Sequence, residues 1–252
     1  MRILALSAVI LLSVVDPGWA QVDIPSSQRA NLPMYRPVLL GTGSEALINR
    51  IDSAGLIKQG QKDAAIMFSC SVKRDGAVLS VSTYRGTPDS KLLEQEVLRK
   101  LSAAANPKFI PAIYNHMPVD AIYYGTVMFA IVNDKPRLRI FSNQERSELV
   151  KESDFIGPQP FWGGDSKFNG FHYPTSDTAP VQVDGSAELA LKVDATGNLQ
   201  DLTLLSELPP FLGFGDAAFE DVSRAKFIPA FRDGKPVACE VKIPVYYKAQ
   251  GF

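Results

Sequence analysis

The segment Lys-Phe-Ile-Pro-Ala occurs twice in this chain, at Lys108–Ala112 and Lys226–Ala230. In each copy a Pro-Val pair begins six residues after the alanine, at Pro118 or Pro236. The same order of cues precedes each copy: an alternating strand, a glycine turn, a second strand and a short amphipathic helix. Self-similarity of this kind indicates one structural unit used twice. The repeat therefore predicts two tandem modules.

The first module begins with a strand, because apolar residues alternate from Ile66 to Val72. Asp75-Gly76 favours a tight turn, and Val78–Tyr84 returns as the partner strand. A helix is predicted from about Thr87, since apolar residues then recur every three or four positions. The buried stripe of this helix is expected to be Leu93, Val97, Leu101 and Ala104.

The second module repeats this order. Ala187–Val193 alternates as a strand, Gly197 marks the turn, and Leu199–Leu205 returns. Asp216 is a plausible cap for a helix that buries Phe219, Val222 and Ala225. In both modules the repeated segment then ends the helix at its proline and places Phe109 or Phe227 in the core. The predicted fold class is α+β, with two tandem ββαβ modules, each an antiparallel sheet with one helix packed on it.

The segments outside the modules complete the predicted organisation. Arg2, an apolar run over Ile3–Val15 and the small residues Gly18 and Ala20 predict a signal peptide cleaved before Gln21, and hence a soluble periplasmic protein. Ser44–Ala54 has a helical spacing of apolar residues. The expected divisions are residues 1–20, signal peptide; 21–43, flexible N-terminal arm; 44–141, first module; 142–184, aromatic Gly/Pro-rich connector; and 185–252, second module.

Composition and residue spacing favour no nucleic-acid or catalytic chemistry. The formal net charge is −1, and no Lys/Arg cluster offers the counterion release on which nucleic-acid binding depends. The two histidines, His116 and His172, lie in a turn and in the connector, and no CxxC pattern offers metal ligands. We therefore expect neither an enzyme nor a cofactor. Cys70 and Cys239 fall on core faces of different modules and are expected to be buried free thiols.

The residues of the second module resemble the TonB C-terminal domain family. The resemblance covers Gly185–Tyr247 and is carried by the strand, glycine turn, strand and helix, then by Phe-Ile-Pro-Ala and Asp233-Gly-Lys-Pro-Val, and by the final apolar strand. Ala225 and Ile228 stand where the family usually has a Trp and a basic residue. The first module, about residues 63–132, resembles a more diverged copy. The resemblance implies a periplasmic protein that binds partners by adding a strand to a sheet edge.

The two modules differ at their last strands. Arg137–Phe141 is predicted to form a further strand that covers the edge of the first module, whereas Val237–Tyr247 has no successor. We therefore expect the second module to bind an extended segment of an envelope or outer-membrane protein at this edge, which could also support a homodimer. The candidate binding residues are Glu240, Lys242, Ile243, Pro244, Tyr246 and Tyr247.

The connector suggests an alternative site. It interleaves aromatic residues with Gly and Pro, a composition that either packs on a domain or forms a recognition surface. A recognition surface here would suit a ligand such as cell-wall glycan. Its candidate residues are Phe161, Trp162, Phe171 and Tyr173.

Overall fold

A computed structural model of the protein describes residues 31–142, 154–174 and 183–249. The predicted signal peptide, residues 21–30 of the arm, and residues 143–153 and 175–182 of the connector lie outside the described residues. The strands are β1 (Tyr35–Arg36), β2 (Ala64–Val72), β3 (Val78–Tyr84), β4 (Ala112–Tyr114), β5 (Met117–Val132), β6 (Lys135–Phe141), β7 (Phe155–Ile156), β8 (Gln159–Trp162), β9 (Gly185–Val193), β10 (Leu199–Leu208), β11 (Lys226–Ile228), β12 (Ala230–Arg232), β13 (Lys235–Val237) and β14 (Cys239–Tyr247). The helices are α1 (Leu47–Arg50), α2 (Ser53–Lys58), α3 (Lys91–Leu101) and α4 (Phe214–Ser223).

The first half of the molecule, residues 31–142, is built on an antiparallel sheet in which β2 lies between β3 and β5. β6 pairs with the far side of β5 from Thr126 to Val132, which covers that edge as predicted. Residues on one face of the sheet alternate into a core under α3, where Leu93, Val97 and Leu101 are fully buried. The position of α3 leaves the opposite face of β2 and β3 available to the second half of the chain.

The second half, residues 154–249, contains a three-stranded antiparallel sheet in the order β10-β9-β14. All nine residues of β14 pair with β9, from Cys239 opposite Val193 to Tyr247 opposite Gly185. Helix α4 packs on β9 and β10 and buries Val222 against the core face of the sheet. The α+β class with antiparallel sheets is confirmed.

The two repeated segments make the same backbone contact with the two glycine turns. The amide of Phe109 donates to the carbonyl of Gly76 at 3.3 Å, and the amide of Phe227 donates to the carbonyl of Gly197 at 2.9 Å. Both glycines have positive φ, near +85°. Each phenylalanine is buried. The repeated sequence therefore has an equivalent structural role in each half.

The arm and the connector are more structured than predicted. β1 pairs with β4 and Val38 is fully buried, so the expectation of a flexible arm is wrong for this part of it. β7 pairs with β12, and β8 pairs with both β5 and β11. These short strands are additions to the predicted ββαβ order. Their backbone groups pair with sheet edges that would otherwise be left open.

Four expectations about helices require correction. Gly213 is the N-cap of α4, and Asp216, the expected cap, lies within its first turn. The Ser44–Ala54 segment is broken at Ile51-Asp52 into α1 and α2, because Asp52 leaves the helical region and caps the second helix through the amide of Gly55. Ala104 lies beyond the end of α3 and is exposed. Phe219 is 41% exposed on the outer face of α4, although its spacing predicted burial. Within the described residues, none of the helices has the length and apolarity needed to cross a membrane.

Candidate functional site: a cleft between the two halves

The candidate functional site is a cleft of about 750 Å³ between the outer face of the first sheet and strand β14. This volume lies within the usual range for ligand pockets in proteins. One wall is formed by serines of β2 and β3, another by the C-terminal part of β14, and a third by the segment that follows β8. We call it the central cleft. Its lining residues are Ser69, Ser71, Arg74, Leu79, Ser80, Ser82, Ile122, Tyr124, Trp162, Gly163, Asn169, Gly170, Phe171, Pro244, Val245 and Tyr246.

Four serines form a square on the first wall. Ser69 lies opposite Ser82 and Ser71 lies opposite Ser80 in the β2–β3 ladder, so all four side chains project from the same face. Each hydroxyl can both donate and accept a hydrogen bond. The small side chains also leave space above the sheet. This wall therefore presents neutral hydrogen-bonding groups over a flat area.

Arg74 forms an ion pair with Asp120 at one side of the cleft. Its Nε donates to Asp120 Oδ1 at 3.0 Å and its Nη2 donates to Asp120 Oδ2 at 3.2 Å, in a paired geometry that orients the guanidinium. The hydrogen bond to Asp120 raises the pKa of Arg74. Asp120 itself is buried and also accepts from the Arg74 amide. Because Asp120 accepts hydrogen bonds from both the backbone amide and the guanidinium of Arg74, the guanidinium is held in one orientation beside the cleft.

Strand β14 contributes the edge on which the sequence analysis placed the partner site. In the described part of the chain the named strands pair only with its β9 side. Pro244 lies within β14, and a proline is tolerated in an edge strand where its nitrogen faces away from the ladder. Since backbone direction alternates along a strand, the nitrogens of Glu240 and Tyr246 face the same outer side as that of Pro244. The outer edge therefore carries amide donors on both sides of a gap at Pro244.

The predicted edge residues divide among three environments: solvent, the core of the second half and the central cleft. Glu240 and Lys242 are exposed, whereas Ile243 and Tyr247 are buried in the core of the second half. Pro244 is buried where it lines the cleft. Of the six residues, only Pro244 and Tyr246 line the central cleft, together with Val245, which the sequence analysis did not select.

Tyr246 also joins the two halves of the molecule. Its ring stacks on Tyr84 of β3, with centroids 4.4 Å apart and planes 25° apart. The adjacent Arg85 forms an ion pair with Glu188 of β9 at 3.3 Å. Burial raises the pKa of the Tyr246 hydroxyl. The ring of Tyr246 thus sets the width of the cleft at this end.

The aromatic residues of the connector are likewise divided. Trp162 and Phe171 are half-buried and line the central cleft. Because Trp162 pairs with Asp120 in the β5–β8 ladder, its side chain projects from the same face of the sheet as the serine square. Phe161 is fully buried in the core of the first half and contacts Tyr114 there. The Tyr173 hydroxyl donates to the Val183 carbonyl at 2.6 Å and its ring packs on Phe214. The fold therefore brings one part of each predicted site, edge and aromatic, to the same cavity.

Sequence reasoning did not select the serine square or Arg74. The available signal was the alternation of Ser69 and Ser71 with core residues, which identified the outer face but gave no reason to expect a second wall opposite it. Neither Cys70 nor Cys239 forms a disulfide in the described part of the chain. Cys70 is buried and Cys239 is half-buried, so the expected full burial of Cys239 is wrong. In the described ranges no group of three or more His, Cys, Asp and Glu side chains is arranged to hold a metal ion.

Comparison with known proteins finds a family match in the second half. Residues 171–249 match the family model of the Gram-negative bacterial TonB protein C-terminal, which confirms the family of this part of the chain. This family is a non-enzymatic protein-interaction domain of the cell envelope, and its interactions include outer-membrane proteins. No curated protein matches the chain. Membership of the first half in the same family stays a prediction based on the repeated segment.

Proposed function

We propose that this is a periplasmic interaction protein that binds an extended peptide segment of an envelope or outer-membrane protein along the outer edge of β14, within the central cleft. One observation carries the proposal: the open side of β14 and the aromatic residues Trp162 and Phe171 belong to a single cavity of about 750 Å³. The family supports it, since residues 171–249 match an envelope interaction domain. The signal peptide expected at residues 1–20 would deliver the chain to the periplasm.

An added strand would meet complementary groups on each side. Its backbone would hydrogen-bond to the outer amides and carbonyls of β14, and backbone pairing of this kind accepts many sequences. Those of its side chains that face the first sheet would meet both the serine square and Trp162, which project from the same face of that sheet. Arg74 would suit an acidic side chain or a terminal carboxylate of the peptide. The edge would set affinity and the cleft walls would set sequence preference.

The test begins with a peptide selected from a random display library against the wild-type protein. Its affinity is then measured for Glu240→Pro, which removes an outer amide donor, and for the matched control Glu240→Ala, which keeps that donor and loses the same side chain. We expect Glu240→Pro to weaken binding about tenfold, equivalent to about 1.4 kcal/mol, and Glu240→Ala to leave it unchanged. Glu240 suits this test because its side chain is exposed. Proline at Tyr246 would also remove the stacking on Tyr84.

Equal affinities of the two Glu240 variants, with thermal unfolding unchanged, would place the peptide away from this edge. Trp162→Ala distinguishes the contribution of the aromatic side chains from that of the β14 edge, because it removes the indole and leaves the β14 backbone intact. A homodimer through the same edge would appear in light scattering as a concentration-dependent doubling of mass that Glu240→Pro abolishes. That result would identify the segment bound at this edge as part of a second copy of the chain.

A second candidate is binding of cell-wall glycan in the same cleft. It is favoured by the combination of an aromatic face at Trp162, the four serine hydroxyls and the Asn169 amide, since sugars offer both apolar ring faces and many hydroxyls. Titration with soluble peptidoglycan fragments tests it directly. Binding that Trp162→Ala abolishes and Glu240→Pro leaves intact would favour glycan over peptide.

A further inference from the structure

The second sheet has another open edge, on the side away from the central cleft. β10 pairs only with β9 among the described strands, and β14 lies on the other side of β9. Large apolar side chains are exposed along β10, the loop after it and α4, with exposures from 37% to 96%. Half of the large hydrophobic side chains that are exposed in the described residues fall in this one stretch, which makes it a patch and not scatter. We call it the apolar edge: Leu204, Leu205, Leu208, Phe211, Leu212 and Phe219.

The exposed apolar side chains of β10 continue onto helix α4. A Cβ placed on Gly215 would lie 2.5 Å from Leu204 Cδ2, so Leu204 already covers the first turn of α4. Phe219 follows Gly215 by four residues and therefore lies on the same face of the helix. Leu208, Phe211 and Leu212 continue from the end of β10. The apolar edge thus runs from the sheet over the start of α4.

The loop that carries Phe211 is held in place by polar contacts. Glu207 Oε1 accepts a hydrogen bond from the Leu212 amide and Glu207 Oε2 accepts one from the Gly215 amide, each at 2.8 Å. These two bonds fix the turn between β10 and α4. Phe211 is nevertheless 96% exposed and has a φ of 65°, a conformation that a non-glycine residue adopts at a cost. The loop is therefore preorganised to present an apolar ring to solvent, which favours binding.

The ionisable side chains of the segment that forms the apolar edge are all acidic. Residues 199–223 include five acidic side chains and no Lys or Arg: Asp201, Glu207, Asp216, Glu220 and Asp221. Asp201, Asp216 and Glu220 are exposed, and Glu220 forms an ion pair with Arg224. A second copy of this surface would bring acidic residues against acidic residues, and an anionic lipid surface would also be repelled. The complementary ligand combines apolar residues with Lys or Arg.

The backbone of β10 disfavours continuous strand pairing. Its register with β9 shifts between Leu199 and Asp201 and again between Leu204 and Ser206. Such irregularities twist an edge and interrupt the row of donors and acceptors that an added strand needs. Recognition here must therefore depend on side chains. This distinguishes the apolar edge from β14, where all nine residues keep register with β9.

We propose that the apolar edge is a second docking surface, which binds a cationic amphipathic segment of a partner protein through its exposed side chains. The apolar face of that segment would cover Phe211, Leu208 and Phe219, and its Lys or Arg residues would face Asp201 and Asp216. This surface is separate from the central cleft, so one chain could hold two partner segments at opposite edges of the same sheet. The proposal does not depend on the function of the cleft.

The test uses a short synthetic amphipathic peptide of Leu and Lys, with a Leu/Glu peptide of the same pattern for comparison. Phe211→Ser removes the most exposed ring of the apolar edge, and Val132→Ser is the matched control, because Val132 is 43% exposed on β5 in the first half. We expect the Leu/Lys peptide to bind the wild type and the control equally and Phe211→Ser about tenfold more weakly. The Leu/Glu peptide should not bind. Equal binding to Phe211→Ser, or equal binding of both peptides, would overturn the proposal.

Two further measurements address other occupants. Vesicles of anionic phospholipid that bind the wild type but not Phe211→Ser would assign the surface to lipid. A concentration-dependent dimer that Phe211→Ser dissociates would assign it to a second copy. Either result would overturn the proposal. Glu240→Pro should leave binding of the Leu/Lys peptide unchanged, so failure at the cleft and failure at the apolar edge are distinguishable.

Discussion

Replacement of Gly197 by alanine tests whether the repeated segment is fixed by its glycine turn. A Cβ at Gly197 would lie 1.9 Å from the carbonyl oxygen of Phe227 and 3.0 Å from its carbonyl carbon. These are backbone atoms, so the turn or the strand that contains Phe227 must move. Movement would break the 2.9 Å hydrogen bond from the Phe227 amide and disturb a fully buried ring. We therefore expect Gly197→Ala to lower the free energy of unfolding by much more than the strain of placing an alanine at positive φ.

Gly60 provides a matched control for that backbone cost. Its φ is 87°, against 86° at Gly197, and nothing lies within 4 Å of a Cβ placed on it. Gly60→Ala should therefore cost only the strain of a left-handed alanine, about 1–2 kcal/mol. Gly197→Ala adds about 1 kcal/mol for the lost hydrogen bond and part of the burial of Phe227, for a total of about 3 kcal/mol or more. Gly76→Ala should behave similarly in the first half, since its Cβ would lie 2.2 Å from the Phe109 oxygen.

Urea unfolding of the three variants measures these differences in the free energy of unfolding. Circular dichroism follows the whole chain, and fluorescence of Trp162 follows the contact between the two halves, because β8 pairs with β5 and the ring packs near Phe168 at a centroid distance of 6.3 Å. Gly197→Ala should destabilise the chain more than Gly60→Ala does by both measurements. If Gly197→Ala cost no more than Gly60→Ala, the repeated segment would not be fixed by the turn, and the equivalence of the two halves would be lost.

Two further predictions concern the cysteines and the chain terminus. Burial raises the pKa of Cys70 to about 12, so at pH 8 a thiol reagent should modify half-buried Cys239 first and reach Cys70 only on unfolding. Fewer than two reactive thiols in unfolded, unreduced protein would contradict the expectation that neither cysteine is in a disulfide. Mass spectrometry of the protein secreted into the periplasm should give a mature chain that begins at Gln21, and retention of residues 1–20 would refute the predicted cleavage.

The sequence was most informative where a periodic pattern has one physical cause. Alternation from Ile66 to Val72 predicted which side chains of β2 enter the core, and the helical spacing of Leu93, Val97 and Leu101 predicted the buried stripe of α3. The same reasoning was wrong at Phe219, because spacing identifies a helix face but not whether another element covers it. The strands β7 and β8 were missed because short Gly- and Pro-rich segments carry little periodicity.

The central cleft was beyond sequence reasoning because its walls come from segments far apart in the chain. Pro244 and Tyr246 were selected for an edge strand, and Trp162 and Phe171 for an aromatic connector, as competing hypotheses. Only the packing of the two halves places them around one cavity. No local pattern in either segment contains that information.

The outer face of the first sheet explains why the two halves meet at one end and leave a cleft at the other. At one end this face carries Met67 of β2 and Tyr84 of β3, which pack against the core of the second half. Farther along the same strands it carries the serine square, whose hydroxyls would lose hydrogen bonds to water if a second sheet covered them without partners. Contact is therefore favourable over the aromatic end and unfavourable over the serines. Tyr246 lies where the aromatic part of this face meets the serine part, because it both stacks on Tyr84 and lines the cleft. The cleft is thus open because the outward residues of β2 and β3 are serines at this end. A ligand that forms hydrogen bonds with those hydroxyls would replace the hydrogen bonds to water that the serines lose when they are covered.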